Sequence, residues 1–175
     1  MKLLLIIVFL FLLITNVTVV NAQDSFVDDE QQNLSNCYYY SGMLGFNIDS
    51  ISNSELYKSI SSWLGVKYCY SGDSKNGIDC SDFATTIYRD AFNKTLVGSA
   101  SDIYKTLTPL KKSQLKEGDL VFFKIRKKRV SHVGVYLSNN RFVHASVHEG
   151  VVISDLDAPY YKKHFFRGGR TKESG

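Results

Sequence analysis

The chain has 175 residues, of which 44% are hydrophobic and 13% aromatic, with only two prolines and a formal net charge of +4. This length and composition are typical of one packed domain and argue against a multidomain enzyme, a disordered chain and a low-complexity protein. The basic excess is small and its one dense run, residues 124–129, is short, so we expect no nucleic-acid partner.

The N-terminus carries an unbroken apolar run of 12 residues, 3–14. The run is too short to span a hydrocarbon core, which needs about 20 helical residues, but its length is typical of a secretory signal peptide. A small residue at Ala22 predicts cleavage there, so residues 1–22 are predicted to be a signal peptide. We then expect an exported protein, periplasmic or extracellular, with no stable membrane insertion. The alternatives are an uncleaved anchor helix and lipidation at Cys37.

Residues 23–50 are acidic at their start, rich in tyrosine and without clear periodicity. They are interpreted as a mobile N-terminal leader segment. The folded domain is predicted to span residues 51–175.

Three helices are predicted in the first half of this domain. The pattern Ser52–Glu55 resembles a capping box and predicts a helix over about 53–64. Glycine and small polar residues over 65–79 indicate a loop, after which a second helix begins at Cys80. A third short helix is expected at about 100–107.

Beyond Gly118 the apolar residues alternate with a period of two, which is typical of strands. Helices followed by an antiparallel meander predict an α+β fold with the helices packed on a sheet of about five strands. The five strands are predicted at 120–125, 132–137, 141–147, 151–153 and 164–168.

The residue with the clearest chemical signature is Cys80. The chain has three cysteines, so one thiol must stay unpaired within a monomer. A thiol in the first turn of a helix lies at the positive end of the helix dipole, which lowers its pKa and favours the nucleophilic thiolate. The alternative is a buried and inert cysteine.

Two histidines are candidates for partners of this thiol. A cysteine peptidase needs one imidazole to move the thiol proton and a third polar group to orient that imidazole. His132 begins one predicted strand and His144 lies in the next. A three-residue loop over 138–140 would put His144 opposite Gly134 and on the same sheet face as His132, whereas a two-residue loop would separate them. We therefore predict an odd loop or a bulge; otherwise each histidine is an ordinary half-buried sheet residue.

Five motifs follow one another along the chain. They are Tyr68-Cys-Tyr-Ser-Gly-Asp-Ser-Lys-Asn-Gly-Ile-Asp-Cys-Ser81, Gly118-Asp-Leu-Val-Phe-Phe123, Ser131-His-Val-Gly-Val-Tyr136, Arg141-Phe-Val-His-Ala-Ser146 and Arg167-Gly-Gly-Arg170. These motifs resemble those of the NlpC-type cell-wall cysteine peptidases, most of all the single-domain murein endopeptidases of the Spr (MepS) group. The resemblance covers about residues 55–170. It implies a circularly permuted papain-like fold and an endopeptidase that hydrolyses amide bonds in peptidoglycan peptide stems or cross-links without metal or organic cofactor.

The resemblance also implies catalytic roles. Cys80 would attack the amide carbonyl, His132 would act as base and then acid, and His144 would polarise His132. With Cys80 free, Cys37 and Cys69 are the candidates for a disulfide. We expect a monomer that binds peptidoglycan peptides.

Three further residues match family positions near the nucleophile. Tyr68 matches a tyrosine whose hydroxyl helps to hold the oxyanion, and Asp79 and Ser81 match residues that contact the substrate peptide. The alternatives are packing for Tyr68, a helix cap for Asp79 and an exposed first-turn position for Ser81. Asp82 stands where the family usually has glycine and Cys69 where arginine is common, which leaves the cleaved bond open.

Other functions remain as alternatives to the endopeptidase. A related N-acetylmuramoyl-L-alanine amidase would use the same thiol and imidazole chemistry, and a wall-binding module would keep the fold without catalysis. A redox protein is disfavoured because the chain has no Cys-x-x-Cys motif. Zinc binding is disfavoured because Cys80 lies at a helix start and lacks ligand spacing.

Overall fold

A computed structural model describes residues 29–125 and 128–172 of the chain. The predicted signal peptide, residues 1–22, lies outside the described residues, as do residues 23–28 of the predicted leader. Among the residues described, no helix is both long enough and apolar enough to cross a membrane.

Helix α1 covers residues 29–44 and occupies much of the segment predicted to be a mobile leader, so that prediction is wrong for this stretch. Cys37 and Tyr40 lie one turn apart on its inner face and are buried. The ring of Tyr40 lies 5.5 Å from that of Tyr57, and the Asn33 side chain donates to the Ile51 carbonyl at 2.8 Å. Such contacts attach α1 to the core of the domain.

The three predicted helices are present. The N-cap of the first is Asn53, whose side chain accepts from the Leu56 N–H, and not the predicted Ser52. The reason is tertiary, because the backbone N–H groups of Ser52 and Asn53 both donate to the distant Glu117 carboxylate. A short C-terminal helix was not predicted. The helices are α2 (Ser54–Trp63), α3 (Cys80–Phe92), α4 (Ala100–Thr106) and α5 (Pro159–His164), with a 3-10 turn at Lys112–Gln114.

A six-stranded antiparallel sheet confirms the α+β class, with one strand more than expected. The additional strand contains Pro109, which lacks a backbone donor and is tolerated because the strand lies at the edge of the sheet. A separate hairpin, β1 (Asp73–Ser74) and β2 (Gly77–Ile78), precedes α3. The sheet has the order β3-β8-β4-β5-β6-β7. Its strands are β3 (Thr108–Leu110), β4 (Leu120–Phe123), β5 (His132–Tyr136), β6 (Arg141–Ser146), β7 (Gly150–Asp155) and β8 (Phe165–Arg170).

Alternation along the strands divides the core between the two sheet faces. Side chains such as Val133 and Val143 belong to the large cluster shared with the helices. Phe123 and Phe142 point the other way, into a smaller cluster covered by Tyr161 of α5. His132 of β5 and His144 of β6 each lie an even number of residues from a member of this smaller cluster, Tyr136 and Phe142, so their side chains point to the same face of the sheet.

Candidate active site

Cys80 is the first residue of α3, as predicted. Asp79 caps this helix, because its carboxylate accepts from the N–H groups of Ser81 at 2.7 Å and Asp82 at 2.9 Å. The Ser81 hydroxyl also donates to Asp79, at 2.8 Å. The cap proposed as the alternative for Asp79 is thus present, and it fixes the backbone on which the thiol is mounted.

The segment before α3 holds Tyr68 close to the start of that helix. Tyr68 forms a parallel bridge with Ile78, two residues before Cys80. Backbone hydrogen bonds on both sides secure this pairing, from Cys69 N–H to the Ile78 carbonyl and from Ile78 N–H to the Lys67 carbonyl. Tyr68 is half-buried against the main core, so packing is part of its function.

The two histidines meet as the loop prediction requires. Tyr136 pairs with Phe142, and the Leu137 N–H donates to the Arg141 carbonyl, which leaves a three-residue loop over 138–140. The His132 Nε2 lies 2.8 Å from the His144 Nδ1. This hydrogen bond is buried.

Gly134 makes room for the histidine pair. A Cβ at this position would come within 2.7 Å of the Phe142 ring and 2.8 Å of the Val143 carbonyl oxygen. It would also lie 3.1 Å from the His144 Cβ. Any side chain here would push apart the strands that carry the two imidazoles.

Two residues that sequence reasoning missed complete the histidine cluster. The His144 Nε2 lies 3.1 Å from the Ser154 hydroxyl and 3.1 Å from the Tyr161 hydroxyl. Phe142 stacks on the His144 ring, with centroids 4.9 Å apart and planes at 22°. Ser154 is opposite Phe142 in the β6–β7 ladder. Its contact with His144 could therefore be predicted only if the register of these two strands were known.

The thiol lies beside the strand that carries His132. The backbone N–H groups of Val133, Cys80 and Ser81 lower the pKa of Cys80, but burial and the negative charge of Asp79 outweigh them. Burial, the largest cause, raises the pKa of Cys80 to about 11. The expectation of a lowered thiol pKa is therefore wrong in direction, because burial is a tertiary property that the position in the helix does not reveal.

Burial acts on the imidazoles as well. It lowers the pKa of His132 to about 4, against a smaller opposing effect of the Asp79 charge. Burial and the neighbouring His132 lower the pKa of His144 well below the ordinary value. At neutral pH the site thus holds a neutral thiol and two neutral imidazoles.

These depressed histidine pKa values predict a loss of stability in acid. In the unfolded chain both histidines bind protons below about pH 6.5, whereas folded His132 does so only near pH 4. Their stabilising contribution is therefore present above pH 6.5 and is lost as the pH falls towards 4. Over this range the free energy of unfolding falls by up to about 1.4 kcal/mol per pH unit for each histidine.

Urea unfolding at a series of pH values measures this slope. We expect the double variant His132→Gln, His144→Gln to show a smaller change in the free energy of unfolding between pH 6.5 and 4 than the wild-type protein. His148→Gln, at an exposed histidine, is the matched control. Equal slopes in the double variant and the wild-type protein would contradict the prediction.

The predicted disulfide is absent, since all three cysteines are free thiols. Cys37 faces the core from α1 and its thiol contacts the Asn33 side chain at 3.4 Å. Cys69 is exposed in the segment before the small hairpin. In the part of the chain that is described, no group of three or more His, Cys, Asp or Glu side chains is placed to hold a metal ion.

Curated proteins with similar sequences include two that are named as endopeptidases. The chain is 41% identical over 108 residues to the probable endopeptidase NlpC homolog of Haemophilus influenzae, covering 62% of this chain and 57% of that protein. It is 41% identical over 103 residues to murein DD-endopeptidase MepS/murein LD-carboxypeptidase of Escherichia coli, covering 59% of this chain and 54% of that protein. The chain thus spans little more than half the length of these relatives.

Solved structures show the same fold. An NLP/P60 family protein from Staphylococcus aureus matches with a TM-score of 0.63 and 27% identity, over 69% of this chain and 41% of the other. An NlpC/P60 family protein from Bacillus cereus matches with a TM-score of 0.63 and 28% identity, over 71% and 41%. The NlpC/P60 family profile matches residues 65–170, more than half of the chain and all of the site described above. The chain therefore belongs to the NlpC/P60 family.

Proposed function

We propose that this protein is a cysteine endopeptidase that hydrolyses amide bonds in the peptide part of peptidoglycan. The observation that carries the proposal is the buried hydrogen bond between His132 and His144, on the two strands against which the helix that begins at Cys80 packs. A nucleophile, a base and a group that orients the base are the minimum set for covalent amide hydrolysis. Relatives named as murein endopeptidases support peptidoglycan as the substrate.

In the first half of the reaction Cys80 forms a covalent bond to the substrate. The sulfur attacks the amide carbonyl carbon while the thiol proton moves to His132, whose Nε2 is held by His144. Negative charge develops on the carbonyl oxygen, where the Cys80 backbone N–H and the Tyr68 hydroxyl are the proposed donors. The C–N bond then breaks, and the proton on His132 passes to the leaving amine.

In the second half water releases the acyl group. His132 accepts a proton from water as the water oxygen attacks the thioester carbonyl carbon, and the C–S bond breaks to give a carboxylic acid. The proton on His132 returns to the Cys80 sulfur. Neutral histidines in the resting site suit this cycle, because His132 begins each half as a base.

Asp79 and Ser81 are proposed to contact the substrate peptide next to the nucleophile. Both side chains are half-buried at the start of α3, and the hydrogen bond between them holds the Asp79 carboxylate next to Cys80. We also propose export through the apolar segment at residues 1–22 and action as a monomer in the cell envelope.

Mass spectrometry of defined muropeptides tests the proposed function. Purified protein and a Cys80→Ala control are incubated with a cross-linked dimer, with an uncross-linked monomer and with intact sacculi. Conversion of dimers to monomers by the wild-type protein alone supports cross-link cleavage, and scission within the monomer stem supports a stem peptidase. Release of the whole stem from the sugar would replace the endopeptidase with an amidase, and binding to sacculi without any product would replace it with a wall-binding module.

A further inference from the structure

The His144 Nε2, the ring nitrogen that does not bond to His132, lies between two hydroxyl groups. Ser154 of β7 and Tyr161 of α5 each place an oxygen 3.1 Å from the His144 Nε2. Neither residue was a candidate site residue on sequence grounds.

Aromatic rings confine this cluster. Phe142 stacks on one face of the His144 ring, and Tyr161 meets the same imidazole edge-on, with centroids 5.3 Å apart. His144 is 1% exposed, so its Nε2 depends on the protein for hydrogen bonds. An N–H of His144 at this position therefore needs an oxygen acceptor, and the two hydroxyls supply one.

Proton positions along the histidine pair are coupled. For His132 to accept the thiol proton on its Nδ1, its own proton must sit on Nε2 and be donated to the His144 Nδ1. His144 must then carry its proton on Nε2, facing Ser154 and Tyr161. In the opposite arrangement His132 carries its proton on Nδ1 and cannot act as a base.

We propose that Ser154 and Tyr161 are positioning residues that hold the His144 proton on Nε2 and thereby keep His132 in the tautomer that accepts the Cys80 proton. This inference rests on the proposed peptidase function. Either hydroxyl alone can accept the N–H, so the two residues substitute for one another. Loss of both leaves a buried N–H without an acceptor and favours the unproductive tautomer.

Four variants separate positioning from mere packing. Tyr161→Phe and Ser154→Ala are each expected to lower kcat by less than about tenfold, and the double variant by about 100-fold with KM nearly unchanged, since a wrong histidine tautomer in a comparable triad costs up to about 10⁴. Ser154→Thr combined with Tyr161→Phe keeps one hydroxyl and is expected to recover most of kcat. Tyr160→Phe, at an exposed ring that packs against Tyr161, is the matched control.

NMR of the histidine ring nitrogens gives a readout that needs no turnover. Wild-type protein is expected to show His144 protonated on Nε2 and His132 on Nε2, and the double variant to lose this pattern. A wild-type His144 protonated on Nδ1, or a double variant with the kcat of the Tyr160→Phe control, would overturn the inference. Failure of the peptidase proposal is distinguishable, because a wild-type protein that cleaves no substrate would still report its tautomers.

Discussion

Cys80→Ala is expected to lower kcat for cross-linked muropeptides by a factor on the order of 10⁴ or more, because no other group in the site can form the acyl intermediate. Cys80 is 8% exposed and begins α3, so alanine keeps the helix start and Asp79 keeps its cap. Quantitative chromatography of the muropeptide products measures the loss. Circular dichroism checks that the variant remains folded.

A matched control exists at the exposed cysteine. Cys69→Ala keeps the Cβ that packs against Gly77 and removes only the sulfur, so we expect nearly wild-type activity. Substantial hydrolysis by Cys80→Ala, or equal losses in the two variants, would refute the assignment of the nucleophile.

Replacement of His132 by glutamine is expected to reduce kcat by a factor on the order of 10⁴ and to leave KM within about threefold. The glutamine amide can still bond to His144 but accepts no proton from a thiol whose pKa is about 11. Steady-state kinetics on a fluorescent stem peptide with an amide at the scissile position would separate kcat from KM.

An exposed histidine supplies the comparison for this variant as well. His148→Gln changes the same side chain away from the buried pair and should retain full activity. A modest loss in His132→Gln, no larger than in the His148 variant, would show that His132 is not the base.

Secondary structure could be predicted where periodicity is strong and local. Helix α3 has an apolar face and a capping aspartate, and the five predicted strands are short runs rich in apolar and β-branched residues. Helix α1 escaped prediction because few apolar residues on it face inward, and Pro109 obscured strand β3. Both elements depend on partners distant in sequence, which local pattern does not reveal.

The candidate site could be predicted as far as strand register allows. The requirement that His132 and His144 meet predicted an odd loop or a bulge between their strands, and the three-residue loop and the hydrogen bond between the histidines confirm it. Ser154 and Tyr161 come from a later strand and an unpredicted helix, so their approach to His144 depends on the complete fold. The predicted disulfide was wrong for the same reason, since the inward direction of Cys37 follows from the packing of α1.

Interception of the acyl intermediate tests the central mechanism most directly. Hydroxylamine added during turnover of a cross-linked muropeptide should capture the thioester on Cys80 and convert part of the acyl product to a hydroxamic acid, which mass spectrometry distinguishes from the carboxylic acid. We expect hydroxamate from the wild-type protein, in proportion to hydroxylamine concentration, and none from Cys80→Ala. Rapid hydrolysis that yields only carboxylic acid at every hydroxylamine concentration would contradict covalent catalysis by Cys80.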